Sequence, residues 1–137
     1  MNHESVFKVQ ATQVDMFGHL NNAKYLEMFE WARWALHEQQ GGVDVYEHTV
    51  HSSVGPAVVH VDVDFLSEVK VGEEVRIQSR IEKIGDRSVT LAQDMLKSDG
   101  TIAARAKFIW AFMNFKTRKG APMPDDLRRM YMEWAKD

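Results

Sequence analysis

The alternation of apolar and polar residues in "SVFKVQATQ" predicts a first strand, which the turn-rich segment beginning at Val14 then interrupts. From Ala23 to about Gln39 the spacing becomes helical, with Tyr25, Met28, Phe29, Ala32 and Leu36 on one face. Leu26, Trp31, Trp34 and Ala35 fill much of the remaining circumference. Lys24, Glu27, Glu30, Arg33 and His37 are left as a narrow, drifting polar stripe. A helix apolar over so much of its surface is expected to be largely buried. Gly41 and Gly42 stop it. A polar loop carrying His48, His51 and Gly55-Pro56 is expected next.

The remainder reads mostly as strand. "AVVHVDVDF" places Val59, Val61, Val63 and Phe65 on one face and His60, Asp62 and Asp64 on the other. "EEVRIQSRI" alternates in the same way. Gly85-Asp86 marks a turn into "RSVTLAQDML", and Ser98-Asp99-Gly100 a turn into "TIAARAKFIWAFMNFK". Links this short imply antiparallel neighbours. The end of the chain predicts an amphipathic helix, with Pro124 near its start and Leu127, Met130, Tyr131 and Trp134 on one side. This order predicts an α+β domain in which one long helix is wrapped by a curved antiparallel sheet of about five strands, with a C-terminal helix added. Such a sheet leaves exposed edges, so self-association is expected.

Composition narrows the function classes. A chain of 137 residues is most simply a single domain, 1–137, able to bury roughly two-thirds of its unfolded surface. A formal charge of -3 and a pI near 6.1 argue against a nucleic-acid binder. The absence of cysteine removes disulfides, thiolate metal sites and a cysteine nucleophile. The start "MNHESVFKVQ" lacks the profile of a secretion signal, and the longest apolar run, "FIWAFM", is far short of a membrane span. A cytoplasmic protein with no membrane association is the expectation.

The candidate chemistry stands directly in front of the long helix, in "VDMFGHLNNAKYLEMFEWAR". Asn21 or Asn22 suits the helix N-cap. A cap alone does not account for Asp15, Gly18 and His19. Gly18 allows a tight bend or a close backbone approach to a ligand. The helix start offers unpaired N–H groups and the positive end of a dipole, which together suit an oxyanion. An aspartate just before such a helix start supplies a nucleophile or general base. Acid and oxyanion site together are the minimum equipment for acyl transfer.

Those residues carry a resemblance. "DMFGHLNNAKY" is similar to the D-x-x-G-H-x-N-N-x-x-Y signature of hotdog-fold acyl thioesterases of the 4-hydroxybenzoyl-CoA thioesterase type, and it also resembles the acyl-carrier-protein thioesterases. Weaker similarity continues through "VDVDFLSEVKVGEEV", "IEKIGDRSVTL" and the terminal P-x-P-x-x-L-R helix. The resemblance implies a hotdog fold, hydrolysis of acyl-CoA or acyl-carrier-protein thioesters, no cofactor and no metal. It also implies a homodimer or homotetramer with active sites at the subunit interface. Carried over, Asp15 is the catalytic carboxylate and the N–H near Asn22 holds the thioester oxygen. Gly18, His19 and Asn21 shape the substrate loop, with Tyr25 one turn into the helix.

Other candidates carry less. His19 has no second ligand at a standard metal-ligand spacing, His48 and His51 could chelate in principle but read as solvent-exposed loop histidines, and Ser52 and Ser53 lack a nucleophile elbow. Asp62 and Asp64 read as the solvated face of a strand, and Glu30 as a surface or paired glutamate ahead of a second acid reaching the pocket from the helix. Lys83, Arg87, Lys116, Arg118 and Lys119 are scattered cations without a phosphate-loop pattern. Two alternatives remain on the same fold: an acyl-CoA hydratase or dehydratase, and a non-catalytic acyl-CoA-binding protein. The first expects an asparagine-proline pair absent from "DMFGH"; the second gives no reason for a carboxylate beside a carbonyl.

Overall fold

The computed structural model describes residues 3–136. Strand β1 (His3–Lys8) leads through a 3-10 turn (Ala11–Gln13) and an irregular loop into helix α1 (Asn22–Gln40). Helix α2 (Val45–Ser52) follows, then strands β2 (Val54–Phe65), β3 (Glu74–Ile84), β4 (Ser88–Lys97), β5 (Ile102–Asn114) and the short β6 (Lys119–Gly120). Helix α3 (Asp125–Trp134) comes last. The strands form one curled antiparallel sheet in the order β1-β3-β4-β5-β2, with β6 on the end of β5. This is the hotdog arrangement, with α1 as its filling and a sixth, two-residue strand beyond the expected five.

Helix α1 forms where the periodicity placed it. Asn21 caps it, its side chain accepting from the Ala23 N–H at 3.0 Å, and Gly41 ends it at φ 70°. Tyr25, Met28, Phe29, Ala32 and Leu36 are its buried residues, the face expected from sequence. The other faces differ from expectation. Trp31 and Trp34 are exposed, whereas Arg33 and His37 of the supposed polar stripe turn inward. The reason is a polar feature of the sheet beneath the helix. His3, Ser79 and Gln93 stand side by side across β1, β3 and β4, all buried. The Gln93 amide donates to the Phe29 carbonyl and to Ser79 Oγ, both at 3.0 Å, and its oxygen accepts from Arg33 Nη1 at 3.1 Å. A buried amide must be satisfied, and Arg33 does part of that.

This polar row separates two apolar clusters. The first gathers Tyr25, Met28, Phe29, Val69, Val75 and Phe108 around the first half of α1. The second gathers Leu36, Trp110, Phe112, Leu127, Tyr131 and Trp134 around its last turns. Helix α3 closes the second cluster with the four residues its periodicity predicted: Leu127, Met130, Tyr131 and Trp134.

Two further expectations are corrected. The loop after Gly42 is largely helix α2, capped by Asp44, whose carboxylate accepts from the Glu47 N–H at 3.0 Å. Its eight residues bury none of their side chains, so no apolar stripe announced it. His48 and His51 therefore lie on a helix, paired with Asp126 at 2.9 Å and Glu47 at 3.6 Å. Strand β2 alternates as expected but bulges at Val58–His60. Several of its apolar side chains are not covered, Val59 being 61% exposed and Phe65 45% exposed, while Val54 and Val63 pack against the two clusters. Asp62 and Asp64 face Lys107 and Arg105 across the β2–β5 ladder.

Candidate active site

The sequence between Val14 and Leu20 folds as a closed loop because its ends pair. An antiparallel bridge joins Val14 to Leu20, and the Asp15 N–H donates to the His19 carbonyl at 2.8 Å. Gly18 bends the loop at φ 78°, a conformation other residues adopt at a cost, and its N–H returns to the Asp15 carbonyl at 3.0 Å. The loop is pinned from below. Leu20 N–H donates to Val69 O at 2.7 Å, and His19 bridges to Lys70. Val69 and Leu20 are both buried, which anchors the loop in the first apolar cluster.

Within that frame the Asp15 carboxylate is divided. Its Oδ1 accepts from the Phe17 N–H at 2.9 Å and from the His19 N–H at 3.2 Å, which holds the loop's shape. Its Oδ2 has no partner among the described residues. Asn21 spends its side chain on the cap, and the Asn21 carbonyl accepts from Lys24 and Tyr25. The Asn22 N–H is then the first donor of α1 without a protein acceptor among the described residues. A free carboxylate oxygen and a free helix-start N–H therefore flank one loop.

The remaining predicted residues support this pair. His19 Nε2 lies 3.3 Å from Glu68 Oε2. Tyr25 is buried; its hydroxyl donates to the Ser67 carbonyl at 3.2 Å, and its ring meets Phe65 edge-on at 5.1 Å. Burial raises the Tyr25 hydroxyl pKa, helped by the negative charges of Glu68, Glu73 and Asp15, so it stays neutral. Tyr25 thus ties the helix start to the segment below it. Met16 and Phe17 at the loop tip are 91% and 75% exposed. Glu30 is exposed, well along the helix. Among the described residues no group of three or more histidine, cysteine, aspartate or glutamate side chains could hold a metal ion. None of their helices is long and apolar enough to cross a membrane.

Sequence reasoning passed over the second polar centre. Arg33 lies with its guanidinium carbon 3.9 Å above the Phe108 ring, and burial pulls its pKa down to about 10. His37 donates from Nδ1 to the Arg33 carbonyl at 2.8 Å, which leaves Nε2 to accept from the Tyr131 hydroxyl at 3.0 Å. The one signal in the sequence was Gln93, a lone amide inside the apolar alternation of β4.

A curled antiparallel sheet around one long helix, with an acid-bearing loop at the helix start, defines the class of hotdog-fold thioester hydrolases. The chain belongs to the thioesterase-like superfamily, whose sequence profile matches residues 9–130. It is 25% identical over 134 residues to the long-chain acyl-CoA thioesterase FadM of Escherichia coli K12, covering 97% of this chain and 99% of that protein. Among solved structures, SAV2348 of Staphylococcus aureus, characterised in complex with CoA, superposes with a TM-score of 0.89 at 17% identity. That match covers 98% of this chain and 84% of the other. Slr0204, a 1,4-dihydroxy-2-naphthoyl-CoA thioesterase from Synechocystis, superposes with a TM-score of 0.88 at 14% identity over the whole of both chains. The two superpositions establish the fold.

Proposed function

We propose that this protein hydrolyses an acyl-CoA thioester to the free acid and coenzyme A, using Asp15 and the Asn22 N–H in a homodimer. The observation that carries the reading is the Asp15 carboxylate: one oxygen is committed to the loop and the other is free, with an unpaired helix-start donor at the end of the same loop. A thioester carbonyl docks its oxygen on the Asn22 N–H, where the helix dipole and the donor stabilise the negative charge of the tetrahedral intermediate. Asp15 Oδ2 either removes a proton from the attacking water or attacks the carbonyl itself. The C–S bond then breaks and the thiolate leaves. In the second route water afterwards cleaves the Asp15 anhydride. Gly18, His19 and Asn21 set the loop, and Tyr25 positions the helix start.

Coenzyme A as the thiol half draws support from the full-length likeness to an acyl-CoA thioesterase and from a fold neighbour characterised with CoA. The homodimer draws support from β2, a twelve-residue edge strand with Val58, Val59, Val61 and Phe65 exposed. Unpaired edges of this length and apolarity are ordinarily covered, and pairing two β2 strands about a two-fold axis covers both.

The test is a hydrolysis screen across short, long and aromatic acyl-CoA esters, with matching acyl-carrier-protein esters beside them. Turnover of a CoA ester that is lost in Asp15→Asn supports the reading; no turnover of any thioester would sink it. A single turnover in ¹⁸O water separates the two routes, since label in the Asp15 carboxylate reports direct attack.

A further inference from the structure

A cavity of about 650 Å³ lies beside the second half of α1, walled by Trp34, Val45, Tyr46, Pro56, Val58 and Trp110. That size is typical of small-molecule sites, and the walls are apolar and aromatic. Arg33 also lines it. Its guanidinium carries five N–H donors, yet among the described residues only Nη1 has an acceptor and no carboxylate pairs with it. A desolvated cation with unused donors is costly unless something else uses them. The group is also held in advance. Gln93 fixes one edge of the fork while being fixed by Ser79 and the Phe29 carbonyl, and the Phe108 ring supports its face.

The charges nearby select what Arg33 can receive. Glu30, one turn earlier on α1, and Glu38 line the same cavity. Asp44 lines it too, with a carboxylate oxygen engaged by the Glu47 N–H. Both ring nitrogens of His37 are already bonded. An anion entering here meets Glu30 and Glu38 as well as Arg33, whereas an uncharged oxygen meets the donors without that repulsion.

We infer that the cavity receives the acyl group of the substrate, and that Arg33 hydrogen-bonds an uncharged oxygen, hydroxyl or keto, near the far end of an otherwise apolar acyl body. This rests on the thioesterase reading and on the β2-paired homodimer. Along α1, Arg33 lies roughly 16 Å from Asn22 at the helical rise, so the cavity is remote from the Asp15 of its own chain. Antiparallel pairing of two β2 edges about an axis at mid-strand sets the Pro56–Val58 wall of one copy against the later half of β2 in the other. The Phe65 at that end packs on Tyr25, one turn into the catalytic helix. An acyl group attached at one copy's Asp15 loop thereby enters the other copy's cavity.

The test uses CoA esters of one chain length in plain, ω-hydroxy and ω-carboxy forms. In the wild type, kcat/KM for the ω-hydroxy ester should exceed that for the plain ester about tenfold, the value of one net hydrogen bond, with no further gain for the carboxylate. Arg33→Met should bring the hydroxy-to-plain ratio near one. Arg33→Lys keeps the charge without the fixed fork, should lower the ratio partway, and serves if the methionine variant does not fold. A wild-type ratio near one, a ratio unchanged in both variants, or a preference for the carboxylate would each overturn the inference. If the wild type hydrolyses no thioester, the enzymatic reading fails but the cavity is still testable. A long-chain terminal diol should then quench Trp34 and Trp110 fluorescence at about a tenth of the concentration needed by the matching monoalcohol, and Arg33→Met should erase the difference; equal binding in the wild type overturns it.

Discussion

The two ends of α1 are built on opposite plans. At its start the chain is exposed and loop-like, and hydrogen-bonding capacity is left over at Asp15 Oδ2 and the Asn22 N–H. At its finish His37 sits among Trp110, Tyr131 and Trp134 at 5.1–5.9 Å between ring centroids, with both nitrogens bonded. Hydrogen-bonding capacity is left over at one end and spent on the fold at the other. Between them lie Gln93, Ser79 and Arg33: Gln93 and Ser79 are bonded to each other on the sheet side, and Arg33 has donors to spare on the cavity side.

The sharpest way to break that comparison is Asp15→Asn. The amide oxygen can still accept from the Phe17 and His19 N–H groups, so the loop and the thermal midpoint should be retained. The negative charge is lost, and kcat should fall by about 10²–10⁴, the usual worth of a positioned acid–base group, with KM little altered. Steady-state kinetics with a thermal melt on the same sample checks both halves. A variant that loses stability as much as activity would place Asp15 with the structural residues.

Gln93→Leu probes the middle. It strands the Arg33 guanidinium and Ser79 Oγ and leaves the Phe29 carbonyl with only its helical partner. We expect a loss of about 2–3 kcal/mol in urea denaturation, near the upper cost of leaving buried polar groups unpaired. A neutral outcome would mean that the row is ornamental to stability.

The smallest effect belongs to His37. Burial, with the Arg33 charge adding to it, lowers the His37 pKa from its usual 6.5, against the Arg33 carbonyl, which raises it. The folded protein therefore holds the neutral ring, while the unfolded chain takes up a proton as pH falls through 6.5. The contribution is complete above that pH and is lost as pH falls toward the folded value. In urea melts the wild type should lose midpoint between neutral and mildly acid pH faster than His37→Gln does. Parallel pH profiles would remove His37 from the account.

The sequence displayed the architecture wherever burial imposes a period. The inner face of α1, the four contacts of α3 and the alternation of β3 to β5 were all legible because each packs mostly against apolar side chains. The loop before α1 was legible for a different reason: Gly18 and the Asn21 cap mark a turn and a helix start in the residue types alone. What was hidden depended on partners far along the chain. Arg33 and His37 looked like a solvent stripe because nothing within α1 reveals Gln93 or Tyr131, 60 and 94 residues away. Helix α2 was hidden by having no buried face, although Asp44 with Glu47 three residues later is a cap signature in plain view. The exposed side chains of β2 gave an alternation indistinguishable from a buried one.

The order in which the sheet is assembled has a consequence in time. Strands β3, β4 and β5 are joined by tight turns and can zip together locally, whereas β1 must find β3 some seventy residues later, and β2 must wait for β5. Such closures lose chain entropy before contacts repay it, and they fold slowly. During synthesis both outer strands and the apolar stretch of α1 are therefore made well before their partners exist. For that interval β2 is an adhesive ribbon, free to join another nascent chain of its own kind or to aggregate. Pulse-labelled hydrogen exchange should find the β3–β5 amides protected before those of β1 and β2. Simultaneous protection would show that the meander is no early intermediate.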